Sequence, residues 1–468
     1  MSDFDLFYSD ATQLAERIRT GAVSSAKVVQ AHLDRIAAID PKLNSIVTLN
    51  PTALKEAEAA DKAIASGEKG LGPLHGVPFT VKDSIDTAKV PTQRGSLVFE
   101  GRTPEEDATA VARMRAAGAI LLAKTNIPEF SYGTESNNPL SSRSNNPWNV
   151  DKTPGGSSGG ESAAIAAGLS PLGLGTDLAI SVRGPASQTG IVALKPTHGR
   201  IPMTGAWPRN PRRFWHLGPM ARSIRDLEVA YKIMAGPDGQ DAFSTIANHG
   251  HDAPKKGSLK VGWLVEPGFG AIHPEVRDVV IAAAKALSRT GNTVDKVQIP
   301  ALERDFALDV FLRIHVNEMS RDAAAATQDF PREKLSPTIR GLIDTPQTSM
   351  QDFIDAEQAA DRLRDGFAQV FFDHDALLMP VLPIPAHDHG MTEFTIDGKT
   401  ENALHVMAAT VPLNVTGLPG LSMRFGTSKD GLPINVQLVG SWYAEATILH
   451  LAKQLEAEST VKDLRPDL

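Results

Sequence analysis

Two serines, a lysine and a run of glycines carry the chemistry on offer in this chain. The run Gly155-Gly156-Ser157-Ser158-Gly159-Gly160 sets two hydroxyls among four residues without side chains. Such a backbone can adopt positive φ and let a ligand approach both oxygens. A phosphate loop would end in Gly-Lys-Ser/Thr, whereas this run continues into Glu161 and Ser162. A hydrolase nucleophile elbow fits the letters Gly-x-Ser-x-Gly but must follow a strand, and residues 148–154, flanked by prolines, do not read as one. A flexible Gly/Ser loop is the alternative that the hexapeptide leaves open. A further serine, Ser181, lies in a polar turn after a short apolar run, and Lys82 closes another such run. A lysine acts as a base only when neutral, and burial makes it so by disfavouring the ammonium. Taken alone, Lys82 reads as an ordinary surface lysine; two serines at neighbouring strand edges give it a partner.

The elements that position these residues follow from hydrophobic spacing. Helices are expected over residues 10–20, 24–39 and 51–66, each opened by a capping or turn residue. A short β-rich run over 77–82 puts Lys82 at a strand end. Residues 107–117 read as a helix and 119–124 as a continuous apolar strand of the kind buried in parallel or mixed sheets. Residues 126–160 are rich in Ser, Asn, Pro and Gly, and a long irregular stretch inside a regular domain points to function. A short Ala-rich helix over 161–168, a strand over 171–175, a polar turn over 176–185 and a strand over 191–194 follow. Residues 249–257 read as a linker. Strands are expected over 260–265, 293–299, 377–382, 420–425 and 434–439, and helices over 273–290, much of 301–372, and 444–458. Helices alternating with buried strands mean α/β. The expectation is one domain over 1–468, built on a large, mostly parallel or mixed twisted sheet covered by helices. Residues of about 255–400 are expected to form a helical extension over the site, where a pocket at strand ends is the default ligand site.

Composition excludes several chemistries. The 468 residues contain no cysteine, which removes disulfides, thiolate nucleophiles and Cys-ligated metals. A net charge of −8 with no basic stripe argues against nucleic acid as a main partner. The N-terminus is acidic where a secretory signal would be basic, and the most apolar stretch, 163–175, is broken by Ser170, Pro171 and glycines. A cytoplasmic protein with no membrane span is expected. The pairs His387/His389 and His249/His251 sit among Pro, Gly and Asp and read as solvated loop histidines, so no metal site is expected.

Several motifs in fixed order carry a family resemblance. They are Gly76-Val77-Pro78-Phe79-Thr80-Val81-Lys82-Asp83, Asn145-Asn146-Pro147-Trp148, the hexapeptide 155–160, and Gly175-Thr176-Asp177 with Ser181 and Arg183. After them come Leu194-Lys195-Pro196-Thr197, the run 216–222 from His216 to Arg222, and Gly431-Leu432-Pro433-Ile434 with Gln437-Leu438. Together they resemble the amidase signature enzymes over nearly the whole chain. The resemblance implies a Ser–cis-Ser–Lys triad: Ser181 as nucleophile, Ser157 as bridging serine after a cis peptide bond, and Lys82 as base. It also implies an oxyanion hole made by the backbone N–H groups of Leu178, Ala179, Ile180 and Ser181. Asp177 and Arg183 are implied as scaffolding of the nucleophile turn, with a surface ion pair as the alternative. Ser158 is implied as a support of the Lys82–Ser157 contact. Ser131, Tyr132 and Ile180 are candidate substrate contacts, with a buried aromatic as the alternative for Tyr132. Trp207 and Trp215, near Arg209, Arg212 and Arg213, read as surface packing.

The chain departs from the family pattern at one place. Ala179 and Ile180 stand where glycine is usual before the nucleophile, so either the local backbone differs or the acyl pocket is reshaped. The implied activity is hydrolysis of a small-molecule amide, or of a related carbamate or hydrazide, without a cofactor. Its partners are the substrate and water, with a homodimer left open. Two alternatives stand beside it: a binding protein of this fold with weakened or lost catalysis, and an ammonia-releasing amidotransferase subunit. A Ser-x-x-Lys acyltransferase reading of Ser24-Ser25-Ala26-Lys27 has no companion motif.

Overall fold

Short apolar runs bounded by glycine, proline or polar turns become strands, and eleven of them pair into one sheet in the computed structural model, which describes residues 6–246 and 257–468. In chain order the first seven strands are β1 (Ile46–Leu49), β2 (Pro78–Lys82), β3 (Ile120–Thr125), β4 (Leu172–Asp177), β5 (Val192–Lys195), β6 (His216–Ala221) and β7 (Lys260–Trp263). The rest are β8 (Thr293–Lys296), β9 (Ala376–Pro380), β10 (Glu393–Ile396), β11 (Lys399–Asn402), β12 (Gly420–Thr427) and β13 (Pro433–Gly440). The sheet runs β1-β3-β2-β4-β6-β5-β12-β13-β9-β7-β8, while β10 and β11 form a separate hairpin.

The sheet is mixed. Parallel pairing is confined to two flanks, β3-β2-β4 and β9-β7-β8, and every pairing through the centre is antiparallel. The parallel pairs follow from helical crossovers, which parallel neighbours require: helix Thr109–Ala116 joins β2 to β3, and Pro274–Arg289 joins β7 to β8. Strands β2, β3 and β4 are buried along their whole length, which matches their unbroken apolar reading. Helices close over the sheet: Gly159–Ala166 packs on β2, β4 and β6, and Glu445–Glu458 on β12 and β13.

The structure changes three expectations. Residues 255–400 are not only a helical extension, because β7, β8 and β9 extend the same sheet, and the helices between residues 300 and 373 and the hairpin β10–β11 lie outside it. The stretch read as a polar turn over 176–185 passes directly into helix Arg183–Thr189, with Pro185 in its first turn, where a missing N–H costs no hydrogen bond. The hairpin β10–β11 was not expected, although its turn, Asp397-Gly398, has positive φ at both residues and is the usual type I′ pair. The linker at 249–257, Gly257 apart, and the His249/His251 pair lie outside the described residues. Among the described residues no helix is long and apolar enough to cross a membrane.

Candidate active site

Because β2, β3 and β4 are parallel neighbours, their carboxyl ends and the loops that follow them meet at one edge of the sheet, the usual ligand edge of such sheets. Lys82 is the last residue of β2 and Asp177 the last of β4. Ser131 and Tyr132 lie in the loop after β3, and Ser181 in the turn after β4. Ser157 reaches the same edge from the glycine loop that precedes helix Gly159–Ala166.

Nζ of Lys82 lies 2.6 Å from Oγ of Ser157, 2.8 Å from Oγ1 of Thr176 and 3.3 Å from the Thr176 carbonyl oxygen. Lys82 and Ser157 are fully buried, whereas Ser181 keeps 5% of its surface open, so it is the one of the three that a solute reaches. Burial holds the Lys82 pKa well below that of a free lysine, against the opposing pull of the Asp177 and Glu161 carboxyls. Glu161 is itself pushed up to about 8 by burial, opposed by hydrogen bonds from the Thr80 and Thr125 hydroxyls. A carboxyl that keeps its proton does little to hold a charge on the neighbouring amine.

The glycine loop is shaped by close backbone approach. A side chain at Gly156 would strike the backbone of Thr134 and Glu135, and the Gly156–Ser157 bond is cis, as the resemblance implies. Ser136 braces the loop by donating to the Gly155 carbonyl and accepting from the Gly159 N–H. Ser158 reaches the Thr176 carbonyl at 3.4 Å, so its link to Lys82 runs through the oxygen that Lys82 also meets.

Asp177 and Arg183 are wholly buried and paired at 3.0 Å, which removes the surface alternative. Burial alone would raise Asp177, but the Arg183 guanidinium and the Asn414 amide hold it down to about 2. Oδ2 of Asp177 accepts from the Val182 N–H, and Arg183 donates to the Thr410 carbonyl, the Gln437 side chain and the Asn414 side chain. The turn bearing Ser181 is therefore fixed at both ends. Within it, the N–H groups of Leu178, Ala179, Ile180 and Ser181 meet no acceptor among the described residues.

Neither Ala179 nor Ile180 has positive φ, so the backbone here does not need glycine. The bulk of Ile180 is received by Gly184, where an added Cβ would collide with Cγ1 and Cδ1 of Ile180. The turn opens on a cavity of about 780 Å³ lined by Ser131, Tyr132, residues 178–181, Phe311, Leu312, His315, Leu404 and Met407. Its charged lining residues are Glu129, Glu135, Glu333, Lys334 and Arg340.

Of the candidate site residues, Ser131, Tyr132 and residues 178–181 line one cavity, whereas Lys82 and Ser157 meet each other but are not among its lining residues, and no hydrogen bond joins Ser157 to Ser181 among the described residues. Other sequence expectations change. Trp215 is 1% exposed and donates to the Asn210 carbonyl, so it belongs to the core and not to the surface. Trp207 packs edge-on against Phe130, behind Ser131, with centroids 4.9 Å apart. Arg212 is buried on Asp241. His387 is buried, not solvated, because its loop packs against residues 152–153. Sequence reasoning passed over Thr176, Glu161, His315, Asn414 and Gln437. Thr176 lay inside the quoted Gly-Thr-Asp motif, Gln437 inside the quoted Gln437-Leu438 pair, and His315 one helical turn after Phe311, while Asn414 had no local signal.

Comparisons agree with this geometry. The family model described as Amidase matches residues 27–449. A glutamyl-tRNA(Gln) amidotransferase subunit from Bdellovibrio bacteriovorus is 31% identical over 498 aligned residues, spanning 99% of each chain. Among solved structures, 6-aminohexanoate cyclic dimer hydrolase superposes with a TM-score of 0.86 at 28% identity over 99% of each chain. Native peptide amidase from Stenotrophomonas maltophilia gives 0.83 at 27% over 98% of each. With the motifs, the mixed sheet and the strand-end cavity already in hand, a match over nearly the whole length means that this chain is an enzyme of the Amidase family, the amidase signature enzymes.

Proposed function

We propose that this chain hydrolyses a small neutral amide, carbamate or hydrazide through an acyl-enzyme on Ser181. The observation that carries the reading is the 2.6 Å contact between a buried, pKa-lowered lysine and a buried serine, in a site whose third candidate, Ser181, lines the cavity together with residues 178–180. In its neutral form Lys82 has two N–H donors and one lone pair. Thr176 takes the donors with its carbonyl and hydroxyl oxygens, which leaves the lone pair for the Ser157 hydroxyl proton.

The chemistry follows. Ser157 gives its proton to Lys82 and takes that of Ser181, whose oxygen bonds to the amide carbon. The N–H groups of residues 178–181 stabilise the resulting oxyanion. The relay then returns a proton to the amide nitrogen as the C–N bond breaks, and the amine leaves. Water, deprotonated through the same relay, cleaves the ester, releases the acid and restores Ser181. Asp177 and Arg183 orient the turn and transfer no proton.

A second reading, an ammonia-releasing amidotransferase subunit, is favoured by relatives such as the Bdellovibrio protein. Glutamine, however, presents a charged α-amine and α-carboxylate, and desolvating them calls for charged partners. The lining offers the apolar Phe311, Leu312, Leu404 and Met407, and its one buried charged residue, Glu129, is already held by the Ser96 hydroxyl and the Ser336 N–H. Peptide mapping after treatment with a fluorophosphonate tests the main reading. One adduct on Ser181, lost in Lys82→Ala, is the expected result; folded protein that takes no adduct, or takes it without Lys82, overturns the relay. Ammonia release from benzamide is expected to exceed that from glutamine, and the reverse order would favour the second reading.

A further inference from the structure

One wall of the cavity is aromatic. Phe311 and His315, one turn apart on helix Ala307–Thr327, stack with ring centroids 4.2 Å apart, and Tyr132 lies along the far side of His315 at 6.0 Å, its ring 28° from parallel. The polarity of this wall is set by a single hydrogen. Nδ1 of His315 is 3.0 Å from the Phe311 carbonyl oxygen, which only accepts, so Nδ1 carries the hydrogen. Burial pushes this imidazole down to about 4, against the carbonyl bond that raises it, and the neutral ring keeps a lone pair on Nε2. The Tyr132 hydroxyl, 3.2 Å from Nε2, therefore donates to it.

With its hydrogen committed, the phenol oxygen of this cavity-lining residue has lone pairs alone to offer. No donor among the described residues reaches them. Burial also pushes the Tyr132 pKa up to about 12, so the hydroxyl stays protonated and the arrangement holds. Beside it, Oγ of Ser131 is buried without a hydrogen-bond partner. Both residues belong to a loop seated by Phe130, whose ring packs between Phe99 and Trp207. A half-satisfied buried oxygen on a rigid wall is a position that a bound molecule can complete.

We propose that Tyr132, oriented by His315, is a specificity-determining acceptor that selects planar amides bearing a second N–H or O–H donor, such as amino- or hydroxy-substituted aryl amides and hydrazides. The stack supplies the flat apolar surface for the ring, and Tyr132 reads the donor at its edge. The kinetic form of this proposal rests on the hydrolase reading above.

The test compares 3- and 4-aminobenzamide with 3- and 4-methylbenzamide. Methyl fills nearly the volume of amino without a donor. Wild type is expected to prefer the amino member of at least one pair by about 10-fold or more in kcat/KM, because a site built around a hydrogen bond rejects the analogue lacking it. In Tyr132→Phe that ratio is expected to fall towards 1, and taking the ratio within each protein cancels any loss of folded enzyme. His315→Phe keeps a ring in the stack but removes the acceptor, which frees the phenol hydrogen. Its preference is expected to swing towards methoxybenzamides, which bring only an acceptor; a structural role for His315 would not move it.

Calorimetric titration of the same amides into Ser181→Ala separates the two claims. Turnover of both members without preference, or a preference that survives Tyr132→Phe, overturns the proposal and leaves the hydrolase intact. Absent turnover together with a Tyr132-dependent preference in Kd upholds the acceptor site and overturns the hydrolase.

Discussion

Lys82 and Lys195 each end a strand of the same sheet, each is fully buried, and burial lowers the pKa of each, yet their surroundings are opposite in kind. Lys195 meets the carbonyls of Leu418 at 2.6 Å and Pro196 at 3.3 Å, and Nε2 of His216 at 3.1 Å. Nδ1 of His216 faces the Phe214 carbonyl and so holds that ring's hydrogen, which makes Nε2 a third acceptor. Three lone pairs ask for three N–H donors, and no neighbour has a proton to give. Lys82 instead meets two hydroxyls, those of Ser157 and Thr176, besides the Thr176 carbonyl. A lowered lysine pKa is therefore common to both positions, and it is the neighbour able to surrender a proton that marks a base. Lys124, lowered to about 8, also meets a hydroxyl, that of Thr92, but it differs from both in having the Asp83 carboxyl 3.8 Å away.

Substitutions can break this contrast, the sharpest first. Ser181→Ala is expected to lower kcat on a neutral amide by on the order of 10⁶-fold, and Lys82→Ala by about 10²–10⁴-fold or more, in protein with unchanged circular dichroism. Lys195→Met is expected to spare kcat within a few-fold while destabilising the fold by about 1–3 kcal/mol, because buried acceptors lose their donor. A Lys195→Met protein that is folded but as inactive as Lys82→Ala would erase the distinction. The pH profile sharpens it further. The rate should climb with pH as Lys82 loses its proton and level off well below the range of a free lysine.

Smaller effects probe the surroundings of the base. Thr176→Val removes one of the two oxygens that aim the Lys82 lone pair, and kcat should drop about 10–100-fold at little change in KM, as for other positioning losses. An unchanged kcat would mean that the backbone carbonyl suffices. Gly184→Ala drives its new Cβ into Ile180 and the turn below it, so kcat/KM should fall about 10-fold. Ile180→Ala in the same chain should restore much of that loss, with a coupling of about 1–3 kcal/mol in a double-mutant cycle. Strict additivity would show that the two side chains do not meet.

A last effect falls on stability and leaves the rate aside. Glu161 keeps its proton to about pH 8 when folded but loses it near 4.5 when unfolded. Between those values the folded chain holds more protons, so stability falls as pH rises, by at most about 1.4 kcal/mol per pH unit. Measured as Tm relative to Glu161→Gln, wild type should lose ground from pH 4.5 to 8 and then hold steady. A flat difference would mean that Glu161 is ionised in the fold.

Much of this was legible in the chain because the decisive signals are local. The β-rich run ending at Lys82 and the continuous apolar run over 119–124 gave strands, and the glycine loop announced close backbone contact. What stayed hidden is non-local or depends on orientation. Strand β6 carries a glycine and a proline, which mask it as a motif, yet it sits between β4 and β5. That the glycine-less turn at Ala179-Ile180 needs no positive φ was not deducible, since the compensation comes from Gly184 on the next helix. The wall facing the nucleophile is assembled from the loop after β3 and a helix nearly two hundred positions later, and only Phe311 of its two helical rings was read as inward. The hydrogen-bond direction at Tyr132 depends on a histidine that spacing alone left unremarked.

The clamp on the nucleophile turn has a consequence in time. Arg183 is held by Thr410, Asn414 and Gln437, the last of them 254 positions downstream. On a ribosome, Lys82, Ser157 and Ser181 emerge while all three of those partners are still unmade. A nascent chain therefore carries the three proposed reacting groups long before it has the brace on the turn of Ser181, and, if the proposed roles hold, hydrolytic competence should arrive late and abruptly, with the docking of β13.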